Sequence, residues 1–336
     1  MKKFLKRLWV NALPRDLFST LISEERARDL FRRYVEVVEV ENHSFCNRTC
    51  WFCPNSFLDR KTSTKLAPPE LLDKVLRDLQ SIDFDRTLVW SRYHEPLGHD
   101  SIYENVAKAR KALPKTILAM VSNGDYLNKE RIQRLADAGL NRLMLDLYLP
   151  DGKEEEEAEF EKAFSKFIER TGLTPKLISQ RFYELEGTSV KVTLMSPVYR
   201  KENISTRAGL IDVPKKTQYH RTAACLVPIR QVVIDYNGKG MLCCQVRSDA
   251  PEHQSAIIGD LMDPGYSLFH FYRDLAGARK ALLREGAKKG ACESCDMSDA
   301  SNADVAVTKS WQSILSAIPG ASFLTTLGMR RDRFEF

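Results

Sequence analysis

The stretch VEVVEVENHSFCNRTCWFC, residues 35–53, decides how the chain is read. Its first half, Val35 to Asn42, alternates apolar and acidic residues, the period of a β-strand with two unlike faces. It runs straight into Cys46, Cys50 and Cys53, a CX3CX2C triplet on a short loop. Loops at the C-terminal ends of parallel strands are where such sheets present functional groups, so a strand feeding three thiols predicts a reactive site. Three thiolates can hold three irons of a four-iron cluster and leave the fourth open. Structural zinc wants four ligands, usually from paired CX2C units.

Outward from this stretch the pattern repeats. A charged helix precedes it, with Ser23 placed to cap its first turn. Pro68 and Pro69 open a helix carrying Leu71, Leu72, Val75, Leu76 and Leu79 at helical spacing. Then come a strand at 86–91, a helix at 101–113, a strand at 116–122, a helix at 129–138 closed by Gly139, and a strand at 142–148. An acidic helix over 154–170 and a strand over 190–196 follow; the run KEEEEAEFEKAF reads as a solvated helix face. Strands separated by helices imply βαβ units in a parallel sheet. Five units are too few for a closed eight-stranded barrel, which leaves a partial barrel or an open doubly wound sheet. After residue 200 the texture becomes a hairpin, 230–236 and 241–246 about Asn237-Gly238, then IIGDL, a helix near 268–284 and a Gly-flanked CESC.

The chain has 336 residues, 51 Lys+Arg against 45 Asp+Glu, and 43% hydrophobic residues. That is ample for a buried core and too apolar for disorder. No apolar run approaches the ~20 residues of a bilayer span. MKKFLKRLWV is broken by Lys6 and Arg7, so it reads as neither signal peptide nor stable membrane insertion, and a cytoplasmic protein is expected. A net charge of +6 without a focused basic stripe does not point to nucleic acid. All eight cysteines fall in groups, with none between Cys53 and Cys225. In a reducing compartment that grouping points to metal or iron–sulfur ligation.

With its triplet, the chain resembles the radical S-adenosylmethionine (SAM) enzymes, whose motif is CX3CX2C with an aromatic residue before the last cysteine, here Phe52. His94-Glu95-Pro96-Leu97 matches the family's Gly-Glu-Pro motif with His94 at the first position. Ser122-Asn123-Gly124 resembles its Thr/Ser-Asn-Gly, and Leu145-Asp146 falls where it often has Ser-x-Asp. The resemblance implies a partial (β/α) TIM-like barrel over 36–200. It also implies a [4Fe–4S] cluster on Cys46, Cys50 and Cys53, SAM as cofactor, Glu95 on the SAM amino group, and Phe52, Ser122, Asn123 and Asp146 near the SAM. An electron donor such as flavodoxin or ferredoxin is implied as partner.

The second set is Cys225, Cys243, Cys292 and Cys295, four thiolates that suffice for one further four-iron cluster. It resembles the twitch domain, the shortened SPASM extension of these enzymes, and implies a second, auxiliary [4Fe–4S] cluster in an α+β domain at 201–300. Residues 1–35 would be an N-terminal helical segment and 301–336 a C-terminal helix and tail. Either Cys243 or Cys244 could be the ligand; the GX4C spacing from Gly238 favours Cys243, and strand alternation would turn Cys244 the other way. Cys244 is then a spare thiol or a hydrogen donor in catalysis. A zinc site on CX17C and CX2C is the alternative. The function expected is dehydrogenation of a small hydroxylated substrate of sugar or aminocyclitol type, the auxiliary cluster taking the second electron. An epimerase using Cys244, or a peptide-modifying maturase, is the alternative. Arg200, Arg207, His220 and Arg221 lie where substrate should sit, with a surface role expected by default.

Overall fold

A computed structural model describes residues 13–200, 204–213, 219–284 and 286–297. The expected helix and tail at 301–336, and the first twelve residues, lie outside it.

Six strands run parallel in the order β8-β1-β2-β3-β4-β7: Gln231–Ile234 (β8), Val37–Val40 (β1), Thr87–Trp90 (β2), Ile117–Ser122 (β3), Arg142–Asp146 (β4) and Lys191–Met195 (β7). Antiparallel strands flank both sides. Lys239–Met241 (β9) and Ile257–Asp260 (β10) extend one edge; Phe182–Glu186 (β6) and Thr174–Ser179 (β5) extend the other. The sheet is open and the barrel partial. The late hairpin is therefore continuous with the barrel sheet, because β8 pairs with β1 in register from Val37↔Gln231.

The alternation in residues 35–42 has a different cause from the solvated face such a pattern usually marks. Val38 and Val40 point into the apolar core, while Glu39 and Glu41 are also buried, at 6% and 2% exposure. The acidic positions face the barrel interior. Glu41 meets Arg60 at 3.0 Å and the Tyr93 backbone N–H at 3.0 Å. Glu39 accepts from Ser91 and from Gln231 Nε2.

Helix Glu24–Tyr34 (α1) starts where Ser23 Oγ accepts from the Arg26 N–H, with acidic residues in the first turn and Arg32 and Arg33 in the last, both favourable to the helix dipole. Its Phe31 packs edge-on to Phe269 and Tyr272 at 5.5 and 5.4 Å. Helices Pro69–Gln80 (α2), Ser101–Ala112 (α3), Lys129–Asp137 (α4) and Glu157–Thr171 (α5) make the βα crossovers. The helix expected at 268–284 is two, Leu268–Asp274 (α7) and Ala276–Leu283 (α8), joined at Leu275. A single turn, Val227–Arg230 (α6), enters β8.

The return strand stops at Met241 instead of reaching Val246. Residues 242–245 bend away, and Val246 N–H closes on the Cys243 carbonyl at 3.4 Å. Cys243 and Cys244 thus sit on a turn, and it is the turn, not strand alternation, that separates their side chains.

Candidate active site

The loop after β1 is stapled from both sides. Between the first two cysteines, Arg48 grips Asp125 with Nε and Nη2, each at 2.6 Å, and reaches the Tyr148 carbonyl at 3.1 Å. Asn47 donates to Asp125 at 2.7 Å and accepts from Asn123 at 2.9 Å. The triplet is thereby fixed to the ends of β3 and β4. Phe52 is buried against Tyr199, ring centroids 3.9 Å apart, and against Tyr148 at 5.1 Å. Arg48 and Asn47 carry no signal of their own in sequence, because Asp125 lies 77 and 78 positions away.

Cys46, Cys50 and Cys53 open onto a cleft of about 700 Å³ including its mouth, within the usual size of a small-molecule site. Glu95, Ser122, Asn123 and Asp146 line the same cleft, so the strand-end residues named from sequence converge on the three thiols. Glu95 is 2% exposed and accepts from Ser122 Oγ at 2.7 Å, Asn123 N–H at 2.8 Å and Leu97 N–H at 3.1 Å. Burial nonetheless pushes its carboxyl up to about 7. Asp146 is likewise raised by burial and accepts from the Tyr148 hydroxyl at 3.0 Å. His94, at the motif's variant position, is buried with Nε2 2.7 Å from Asn42 Oδ1.

Burial pushes Cys46 and Cys50 each up to about 12, and the neighbouring thiols push the same way. A site that gathers thiols and holds them protonated when alone suits a cationic group that would bind them as thiolates. The buried Glu95 carboxylate, rich in donors and held above its usual range, suits an ammonium partner in the same way. These residues fit a cluster and SAM together.

The second set behaves alike. Cys243 is raised well above the usual thiol range by burial and then by its neighbour Cys244 and by Cys292, Cys295 and Cys225, which groups the other three expected ligands around it. Burial carries Cys292 up to about 11. Cys225 N–H bonds to the Leu282 carbonyl at 2.9 Å. Among the described residues no three His, Cys, Asp or Glu side chains are placed to hold a single metal ion; thiols around a cluster each meet a different iron.

Cys244 lies on the other side of the turn. It lines the cleft with the first three cysteines, beside Arg92 and Arg207, and burial raises it to about 11. Arg207 thus departs from the default surface expectation. So does Arg221, 2% exposed, which braces the CESC loop through the carbonyls of Met297 at 2.7 Å and Cys295 at 3.3 Å. Arg200 is exposed and paired with Glu155, and His220 is exposed 3.5 Å from Glu293. Arg92, which lines the cleft and ion-pairs with Asp235, went unnoticed in the sequence because nothing near it in the chain is its partner.

The protein-family model described as "Radical SAM superfamily" matches residues 43–212. A protein of Niallia circulans described as S-adenosyl-L-methionine-dependent 2-deoxy-scyllo-inosamine dehydrogenase is 24% identical over 263 residues, 77% of this chain and 92% of the relative. The crystal structure of BtrN in complex with AdoMet and 2-DOIA superposes with a TM-score of 0.55 at 23% identity, covering 75% of this chain and 88% of that one. BtrN in an open conformation gives 0.52 at 21% identity, covering 78% and 92%. These likenesses are of fold. Among the described residues no helix is long and apolar enough to cross a membrane.

Proposed function

This chain belongs to the radical SAM superfamily, as an oxidoreductase whose membership implies a [4Fe–4S] cluster and SAM, and from that premise we propose that it dehydrogenates a small hydroxylated substrate of sugar or aminocyclitol type. The name of the Niallia circulans relative supports the reaction and the substrate class. One observation carries the reading: adjacent residues, Cys243 and Cys244, face two different sites, the second thiol set and the cleft. A substrate in the cleft is then one turn of backbone from the second set.

Cys46, Cys50 and Cys53 would hold the cluster, which when bound with SAM supplies reductive cleavage and a 5′-deoxyadenosyl radical able to take a hydrogen atom from carbon. Glu95 binds and orients the SAM ammonium, its carboxylate aimed by Ser122 and Asn123. Phe52 and Asp146 close the cofactor end of the cleft, Phe52 excluding water with Tyr148 and Tyr199. Oxidising an alcohol to a ketone removes two electrons and two protons; hydrogen-atom loss accounts for one of each. The hydroxyl proton leaves to a base or water. Cys225, Cys243, Cys292 and Cys295 would hold an auxiliary cluster in a twitch-type segment at 201–300, supplying an acceptor for the second electron. A flavodoxin or ferredoxin would deliver the initiating electron.

The placement of Cys244 supports a second reading, epimerisation, in which its thiol returns a hydrogen atom to the opposite face. Solvent deuterium separates the two. Dehydrogenation leaves a carbonyl at the reacting carbon, and deuterium fixed on that carbon would overturn it in favour of the epimerase.

A further inference from the structure

One short segment touches both thiol sets. Residues 204–213 bury Ile204, Ile211 and Val213 against Phe52, and Cys50 and Cys53 pack against the same apolar group. Arg207, in the same segment, lines the cleft beside Asp146. The backbone and hydroxyls of this segment are tied to the CESC loop. Asp296 Oδ1, next in sequence to Cys295, accepts from the Thr206 N–H at 2.9 Å and lies 3.1 Å from both the Ser205 and the Thr206 hydroxyls. Thr206 Oγ1 donates to the Ser294 carbonyl at 2.8 Å. Ser294 also leaves no room for a side chain at Gly209, where a Cβ would stand 2.7 Å from its Oγ. Arg221 holds the loop independently, with its N–H on the Glu293 carbonyl at 2.7 Å.

The segment is held in a conformation it would not keep alone. Arg207, Ala208 and Gly209 follow one another in the left-handed region, at φ +48°, +56° and +92°. Glycine visits that region without penalty, but two non-glycine residues in succession persist there only where their surroundings over-determine them. The turn closes on itself through the N–H groups of Gly209 and Ile211, which reach the Thr206 carbonyl at 3.0 and 2.9 Å. The remaining restraint comes from distant parts of the chain. His253 Nδ1 accepts from the Arg247 N–H at 3.2 Å, which leaves Nε2 to donate to the Ala208 carbonyl at 3.1 Å. The other restraint is the Asp296 carboxylate, and hydrogen bonds to a carboxylate are about twice as strong as neutral ones. Asp296 is also the tie that sits on the loop carrying Cys292 and Cys295.

We propose that Asp296 is a positioning residue that couples the second thiol set to the SAM cleft. With Cys292 and Cys295 held together, Asp296 locks residues 204–211 against Phe52 and the first set. With the loop released, the strained turn relaxes and that wall of the cleft loosens. The proposal rests on the preceding reading of the two sets as cluster ligands and of the cleft as the SAM site, and it gives the second set a task besides accepting an electron. Coupling of this kind is reciprocal: whatever the held loop adds to SAM affinity, bound SAM returns to the loop.

The anaerobically reconstituted full chain is titrated with SAM by calorimetry, and amide exchange over residues 204–211 is followed by mass spectrometry. Asp296→Ala should keep its iron and bind SAM roughly tenfold more weakly, the loss of about one charge-assisted hydrogen bond. Its turn amides should exchange about tenfold faster or more. Asp296→Asn, which keeps an acceptor at Oδ1, should recover most of both. Cys292→Ala should weaken SAM binding by a similar factor, and the double variant with Asp296→Ala no further, because both changes cut one link. Native SAM affinity in Asp296→Ala, no recovery in Asp296→Asn, or losses that multiply in the double variant would overturn the proposal. If Asp296→Ala also loses iron, Thr206→Val cuts the link from the turn's side, away from the cysteines. It should weaken SAM binding with iron intact, and native affinity there would overturn the proposal as well. A native chain that takes up no iron or binds no SAM would instead overturn the cluster reading, a failure seen before any variant is made.

Discussion

Glu95 offers a quantitative test of how SAM is held. Its carboxyl accepts three hydrogen bonds at 2.7, 2.8 and 3.1 Å, and burial still outweighs them and places its pKa at about 7. An ammonium facing it favours the ionised form, so the bound state has the lower pKa and binding excludes a proton. Affinity is therefore complete above pH 7 and falls as pH drops through the free-state value. Between pH 8 and pH 6 the apparent Kd should rise about tenfold, until the bound-state pKa is reached. Glu95→Gln keeps an acceptor for Ser122 and Asn123 but removes the charge, worth about 1.5–3 kcal/mol in a charge-assisted bond. SAM should then bind roughly one to two orders of magnitude more weakly, with a flat pH profile and unchanged iron content. Anaerobic calorimetry with SAM at pH 6, 7 and 8 measures all of this. A native-like affinity in the variant, or the same pH slope in both proteins, would refute the assignment.

Other expectations follow from the same geometry. Arg60 is 1% exposed in its side chain and paired with Glu41 and Asp249, so Arg60→Ala should cost about 3–5 kcal/mol, read from urea denaturation; a loss below about 1 kcal/mol would contradict the burial of this network. Cys292→Ala should lower iron by about half and stop ketone formation, with circular dichroism checking that the fold survives. Cys244→Ala should retain both the iron and the ketone product. Loss of product in the Cys244 variant, with SAM still consumed, would move the reaction to epimerisation.

The crossover strands and their helices were legible because each carries its own period and caps, as with Ser23 on α1 and the prolines opening α2. The cysteine triplet and the strand-end residues Glu95, Ser122, Asn123 and Asp146 were legible because function and topology share the strand ends. What was missed has partners far off in the chain. The β5–β6 hairpin escaped because Thr174–Ser179 is exposed along its whole length and carries a proline, so no buried face imposes a period. The pairing of β8 with β1 joins residues nearly 200 positions apart and leaves no local trace. The ionic interior formed by Glu41, Arg60, Arg92 and Asp235 reads in sequence as ordinary surface charge. Arg207 looked equally ordinary, since no periodicity records a left-handed turn held by Asp296.

The most direct test of the account is SAM cleavage itself. The native chain, reconstituted anaerobically with iron and sulfide, is incubated with SAM and dithionite, and 5′-deoxyadenosine and methionine are quantified. The account predicts equal amounts of the two products from the native chain. It predicts none from a variant with Cys46, Cys50 and Cys53 all replaced by alanine, which should retain about half the iron, on the order of four per chain. Undiminished 5′-deoxyadenosine from that variant, or none from a native chain that has bound both its iron and SAM, would contradict it.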